Sequence, residues 1–356
     1  MTDILIIGGG VAGLGAAAEL APHAKVTLIE AEPAFTYHAS GRSAAIYLPG
    51  YGNAAVRVLN DASALGLRAA GVLSPRGVLL LGAAGDEADL RSEAATMGIP
   101  EIPVARAQAL LPILDPDRIT CAAWTEDALA IDTDALCQHY LRRARAAGAD
   151  LRTRAPAQAI RREGGLWHVT TPDGEITAQR LVNAAGAWVD GIARMAGVRP
   201  LGFQPLRRSM AVLPAPGGHD VSSWPFTLFV RDAWYAKPEG GRWLVSPSEE
   251  DPAEPHDAFA DDMVIAEGLA RYEAAVNMPV TRVETTWAGL RTMAPDRALV
   301  LGPDPEEPDF IWCAGQGGYG FQSAPAASKL LADRVLGRRP DLLPAQVEAL
   351  SPSRFT

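Results

Sequence analysis

Cysteine is scarce in this chain. Only Cys121, Cys137 and Cys313 occur, with no paired spacing, which excludes a disulfide framework or zinc-ligand pattern and fits a reducing, cytoplasmic setting. Long apolar runs are missing too, so no stretch reads as a bilayer span. Asp3 follows the start directly, without a charged leader or small-residue cleavage site, and no secretory signal is expected. Basic charge is in deficit: 32 Lys and Arg face 42 Asp and Glu, for a formal net charge of -10. A nucleic-acid backbone would be repelled. The one basic run, Arg142, Arg143 and Arg145, falls in an Ala- and Arg-rich segment that reads as the exposed face of a helix. The histidines form neither a Ser-His-Asp order nor a ligand cluster, so no metal is expected. His38 is the only one in a cofactor-like segment, and a packing role suits it.

What is present is a hydrophobic content of 48 % over 356 residues, enough for two connected domains and a large cofactor. The clearest signal is at the start. Ile4 to Ile7 reads as a buried strand, Gly8-Gly9-Gly10-Val11-Ala12-Gly13 as a glycine turn, and the alanine-rich stretch to Leu20 as a helix. Gly8 permits the tight turn, Gly10 lets the backbone approach a pyrophosphate, and Gly13 lets the helix lie close on the strand. A second strand, Lys25 to Ile29, ends at Glu30, where a carboxylate accepts hydrogen bonds from ribose hydroxyls. The combination specifies a dinucleotide site, but FAD and NAD are not separated by it.

Three later segments bear on the cofactor. Tyr37 to Ala45 places small and hydroxyl residues around Arg42, suited to phosphate and a flat ring. Leu181 to Trp188 reads as a buried strand ending in a small-residue turn. Phe310 to Cys313 reads as a strand before Ala314-Gly315-Gln316-Gly317-Gly318-Tyr319-Gly320, with a helix from Phe321 to Leu336. A helix start there directs its positive dipole end at a flavin pyrimidine.

In this order, the fingerprint, Gly41-Arg42-Ser43-Ala44-Ala45, Asn183 to Trp188, Pro205 to Ser209, Trp287-Ala288-Gly289-Leu290-Arg291 and Gln316 to Gly320 resemble the D-amino-acid oxidase superfamily of flavoproteins, and within it the D-arginine dehydrogenase branch. The resemblance implies an α/β fold. A Rossmann-like, discontinuous FAD-binding domain of the glutathione-reductase type would comprise 1–75, 136–204 and 285–356, and a mostly antiparallel β substrate domain 76–135 and 205–284. It also implies FAD contacts from Gly8, Gly10, Val11, Ala12, Gly13, Glu30, Ala31, Ala39, Ser40, Arg42, Ser43, Ala44, Ala45, Ile46, Ala157, Ala185, Gly186 and Trp188. The last block would add Gly317, Gly318, Tyr319, Gly320, Phe321 and Gln322. No cysteine lies between Gly289 and Asp296, where some relatives tether flavin, so the FAD is expected to be noncovalent. Cys313 reads as core.

The same resemblance assigns the substrate residues. Arg208 and Arg291 would grip a carboxylate through their planar donor pairs, with Tyr51 and Tyr235 lining the pocket and Gly318 offering its carbonyl to the amine. If its strand is extended, Arg207 faces the other side, toward solvent. Tyr51 lies in Tyr47-Leu48-Pro49-Gly50-Tyr51-Gly52, whose glycines let the backbone swing, so a lid carrying Tyr51 is expected, with a static surface turn as the alternative. The branch's acidic and polar pocket positions correspond here to Val78, Ile46 and Leu48, which with Phe226 and Leu228 imply a neutral or apolar substrate side chain. The implied reaction is oxidative deamination of a small D-amino acid by hydride transfer to flavin N5, giving an imino acid that hydrolyses to a 2-oxo acid. Oxygen, a quinone or another carrier would take the electrons. Oxidation of glycine- or sarcosine-type amines, oxidation of a 2-hydroxy acid, and noncatalytic flavin binding stay open as alternatives.

Overall fold

The computed structural model describes residues 1–355. Apolar runs with no polar alternation build an inner parallel layer, because strands covered on both faces bury every side chain. Thr2–Ile7 pairs in parallel with Val26–Ile29 on one side and with Gly174–Asn183 on the other. Asp150–Arg152 extends this order beyond Val26–Ile29, and Phe310–Ala314 pairs in parallel with the end of Gly174–Asn183. Antiparallel strands Ala159–Glu163 and Leu166–Thr171, with Val300–Pro303 beside Phe310–Ala314, complete an eight-stranded sheet.

Against one face packs the helix Val11–Leu20, whose small residues permit close approach to the helix Gly320–Val335. A Cβ at Gly15 would lie 2.1 Å from Ser328 Oγ, which leaves no room for a larger residue. Thr133–Ala146 covers the same region with Leu136, Tyr140 and Ala144 buried, while Arg142, Arg143 and Arg145 face solvent as expected. Ala54–Ala70 starts at Asn53, whose side chain accepts from Val56 N, and stops at Gly71 in the left-handed conformation. No helix among the described residues is long and apolar enough to cross a membrane.

A second, nine-stranded sheet stands beside the first. It is antiparallel throughout except where Phe226–Phe229 runs parallel to Val78–Ala83. Its longest pairing, at one end of the strand order, joins Gln204–Pro214 to Thr285–Met293. The latter strand therefore belongs to this sheet, although the expected cofactor segment begins at 285, and the expected break between 135 and 136 falls inside the helix Thr133–Ala146. A small sheet of Ile46–Tyr47, Leu129–Ile131 and Leu73–Pro75 ties the two parts together.

Gly8 sets the geometry on which the nucleotide end depends. Its φ is +110°, and a Cβ there would lie 2.4 Å from the carbonyl oxygen of Ala184, a backbone clash that no rotamer relieves. Gly8→Ala should therefore cost about 2–4 kcal/mol of stability, read as a lowered urea midpoint; an unchanged midpoint would contradict this packing.

Candidate active site

Two clefts meet at Ala39 and Ser40, the first within the parallel-sheet part and the second between it and the nine-stranded sheet. The first is the nucleotide end. Gly8, Gly9 and Gly10 form its floor, Glu30 and Ala31 its rim, and Ala157, Ala185, Gly186 and Trp188 its walls. Glu30 accepts from Gly9 N at 2.6 Å and from Glu32 N at 2.9 Å, which fixes the carboxylate while leaving acceptor sites free for hydroxyls. Gly10 caps the first helix without a side-chain bond, so the positive end of that helix opens toward the cleft. Ser40 Oγ accepts from Val11 N at 3.0 Å. A glycine floor, a helix N-terminus and a carboxylate beyond the second strand fit the pyrophosphate and ribose of a dinucleotide.

Some expected cofactor contacts take other roles. Ala12, Gly13 and Tyr319 line neither cleft. Gly13 lies so near the Gly8 carbonyl that a Cβ would sit 1.9 Å from it, and Tyr319 packs its ring 5.6 Å from that of Tyr51. Arg42 borders the second cleft, but its guanidinium is committed elsewhere: it donates to the carbonyls of Ala258 and Ala288 at 2.8 and 2.9 Å and pairs with Asp257. It fastens the cofactor block to the second sheet and has little capacity left for a phosphate. His38 packs against Trp188 and pairs with Glu32, the packing role the sequence implied. Cys313 is buried, its thiol pushed up to about 12 by burial, and no cysteine lines either cleft.

The second cleft gathers Ser43, Ala44, Ala45, Ile46 and Leu48 on one side and Gly317, Gly318, Gly320, Phe321 and Gln322 on another. Facing them from the second sheet are Arg208, Tyr235 and Arg291. The pairing of Arg208 with Gly289 and of Leu206 with Arg291 sets the two arginines diagonally on adjacent strands. At Gly289, opposite Arg208, the space a side chain would fill is bordered by Arg42 and Ala39. Tyr235 stacks on Phe226 with ring centroids 5.4 Å apart, and both guanidinium carbons lie about 6 Å from its own ring (5.9 Å for Arg208, 6.0 Å for Arg291), within cation–π range.

Arg291 Nη2 donates to Tyr235 Oη at 3.4 Å and finds no carboxylate partner. Burial works to lower its pKa, but the hydroxyls of Tyr235 and Tyr51 and the carboxylates of Asp232 and Glu250 outweigh it and leave the pKa raised. A Cβ on Gly318 would fall 3.2 Å from Arg291 Nη1, so glycine there clears the guanidinium. Arg208 is lowered by burial and then by the charge of Arg291, and its Nη2 donates to Glu250 at 3.2 Å. Tyr51 is pushed up to about 12, chiefly by burial, so its phenol remains a hydrogen-bond donor throughout the neutral range.

Several expectations are corrected here. Val78 does not line the cavity: it is fully buried, paired beside Phe226 in the sheet, and only Phe226 and Leu228 reach the cleft from that strand pair. Arg207 does lie on the opposite face, but it pairs with Asp251 at 2.8 Å with its side chain 20 % exposed, so it is not a free solvent group. Gln322 Oε1 accepts from Leu48 N, which spends the amide oxygen on the loop. That loop is pinned further by Asn60, whose Nδ2 donates to the carbonyls of Pro49 and Tyr51. A Cβ at Gly50 would collide with the Met97 backbone. Gly50 serves this close contact, and the loop is held at Leu48, Pro49 and Tyr51 by these hydrogen bonds.

Sequence reading missed Asp232 and Glu250. Asp232 borders the cleft from a turn in which Arg231 and Asp232 both have left-handed φ, 58° and 51°, a conformation that costs non-glycine residues about 1–2 kcal/mol each. No glycine or asparagine marks that turn. Glu250 stands in the sequence only as the middle of three consecutive acids, Glu249 to Asp251.

A family model described as FAD dependent oxidoreductase, DAO, matches residues 3–334. The chain belongs to this family. FAD is thus the dinucleotide that the first cleft fits. The chain is 27 % identical over 225 residues to glycine oxidase of Bacillus subtilis, covering 61 % of this chain and 57 % of that one; it thus spans little more than half of that relative. Its fold matches glycine oxidase from Geobacillus kaustophilus with a TM-score of 0.82 at 22 % identity, covering 97 % of each chain. It also matches iminodiacetate oxidase from Chelativorans sp. BNC1 with a TM-score of 0.80 at 24 % identity, covering 98 % of each. These relatives take the place of the D-arginine dehydrogenase branch to which the resemblance pointed.

Replacing Arg291 by Met should leave FAD bound and weaken acetate binding by about 2–5 kcal/mol, followed as the perturbation of the flavin absorbance. Equal acetate affinity in the variant would show that the carboxylate is gripped elsewhere.

Proposed function

We propose that this protein oxidises the C–N bond of a small amino acid, glycine or an N-substituted glycine in the first place. The observation that carries this is Arg291, a half-buried guanidinium without a carboxylate partner, set beside the Tyr235 hydroxyl in the cleft that continues from the dinucleotide site. A partly desolvated cation of this kind is stabilised by an incoming anion, and a carboxylate matches its planar donor pair. The relatives named glycine oxidase support the amine class.

FAD, when bound, supplies the acceptor for the hydride that leaves the substrate carbon. The chain's own residues do the rest. Arg291, with the hydroxyls of Tyr235 and Tyr51, holds the carboxylate and so fixes the neighbouring carbon. The Gly318 carbonyl is available to an amine N–H. Ile46, Leu48, Phe226 and Leu228 give an apolar wall that keeps water from the reacting carbon.

A second reading, oxidation of a small neutral D-amino acid, is favoured by that same wall, which has surface for a side chain that glycine lacks. Oxidation of a 2-hydroxy acid is less well served, since no histidine lines the substrate cleft to take a hydroxyl proton.

Anaerobic mixing of the yellow holoprotein with glycine, sarcosine, D-alanine, L-alanine and lactate decides among these. Bleaching by glycine or sarcosine is expected, with D-alanine bleaching if the second reading holds. Bleaching by lactate alone, or by none of the five, would overturn the proposal.

A further inference from the structure

One short stretch, residues 37–42, walls both clefts. Tyr37 and His38 line the nucleotide cleft, Ala39 and Ser40 line both, and Arg42 lines the substrate cleft. An FAD that reaches from one cleft into the other passes Ala39 and Ser40. Whatever holds this stretch in place therefore holds one wall of the cofactor site.

Its outer side is fastened from the second sheet. After the short strand Asp251–Pro252 the chain runs through residues 253–261 to the helix Asp262–Glu273. Asp257, at the middle of that loop, meets three side chains of the stretch. Arg42 Nη2 donates to its Oδ1 at 2.5 Å, Tyr37 Oη donates to its Oδ2 at 3.3 Å, and His38 Nδ1 lies 3.8 Å from Oδ1. Arg42 donates as well to the carbonyl of Ala258, the next residue of the loop, and to that of Ala288 in Thr285–Met293. Trp287 Nε1 returns a bond to the Arg42 carbonyl at 3.4 Å.

The same loop reaches the opposite wall. Ala258 is buried in a small apolar cluster with Ala187, Ala288 and Leu290, against which Trp188 and Ala260 pack. Trp188 lines the nucleotide cleft, its ring 4.7 Å from that of His38. Residues 253–261 thus tie two walls of that cleft to each other and to the strand that carries Arg291.

Asp257 is the charged centre of this tie. The hydrogen bond from Arg42 comes first among the influences that hold its carboxyl below the usual carboxylate value, and the charges of Arg42 and His38 act in the same direction. It is an anion at neutral pH. Its side chain is 56 % exposed, against 18 % for that of Arg42, so water screens the pair and the contact opens at low cost. That suits a fastening that lets a cofactor in and then retains it.

We infer that residues 253–261 are a strap that retains FAD: Asp257, acting through Arg42, keeps the 37–42 wall closed, and the cofactor leaves when that contact breaks. Asp257 lines neither cleft and is a positioning residue. The inference holds whichever amine is oxidised.

Release of FAD tests it without turnover. Holoprotein is diluted, and the FAD that has left is separated by rapid filtration and measured against time. Asp257→Asn should release FAD about threefold to fivefold faster than the wild type, the factor that loss of one exposed charged contact allows. Asp257→Lys, which sets a cation against Arg42, should be faster still. Asparagine keeps the shape of the side chain and drops the charge, so a role in packing alone would leave the rate unchanged. In the Arg42→Met background, where the partner is gone, Asp257→Asn should add nothing. Wild-type release rates in both Asp257 variants would overturn the inference, and so would an undiminished effect of Asp257→Asn beside Arg42→Met. Asp257 is exposed, so its own variants decide the question even if Arg42→Met fails to fold.

Discussion

An uncompensated charge inside a protein is the constraint around which the second half of this molecule is arranged. Arg291 stands half-buried in the cleft, and its charge is offset only by partial measures: a phenol at hydrogen-bond distance, an aromatic face, and distant carboxylates. None of these is an ion pair. The site is left with an electrostatic demand that a carboxylate ligand meets. This demand orients the ligand, because the carbon next to a gripped carboxylate has few places to go.

The fold delivers that charge to the cofactor through strand register. Gln204–Pro214 and Thr285–Met293 run side by side from the Gln204–Met293 pair to the Val212–Thr285 pair, so Arg208 and Arg291 are fixed by backbone hydrogen bonds and not by flexible loops. Arg42, tied to Asp257 and to the carbonyls of Ala258 and Ala288, then binds the cofactor block to this sheet. Gly318 closes the arrangement from the other domain by making way for Arg291. Sheet, clip and glycine turn together give a site held on rigid elements.

The nucleotide half was legible in the sequence because its demands are local. A strand, a turn that needs positive φ at Gly8 and a small-residue helix leave a contiguous trace, and Glu30 falls where the second strand ends. Arg208, Arg291, Tyr51 and Tyr235 were singled out through segments that resemble known flavoproteins, and they line one cleft. What escaped depends on contacts between distant parts of the chain. Val78 and Phe226 look alike as apolar strand residues, and only the parallel pairing decides which of them meets the cavity. Arg42 looks like a phosphate ligand until Asp257 is brought to it across 215 positions. Asp232 and Glu250 are ordinary acids in sequence and acquire meaning from a strained turn and from an arginine pair.

The central claim is that Arg291 takes the substrate's acid group. A crystal structure of the FAD-loaded protein with a bound carboxylate inhibitor such as methylthioacetate tests it most directly. The account predicts the carboxylate oxygens within hydrogen-bonding distance of the Arg291 guanidinium and the Tyr235 hydroxyl; an inhibitor whose carboxylate lies on Arg297 or at the surface, with Arg291 untouched, would contradict it.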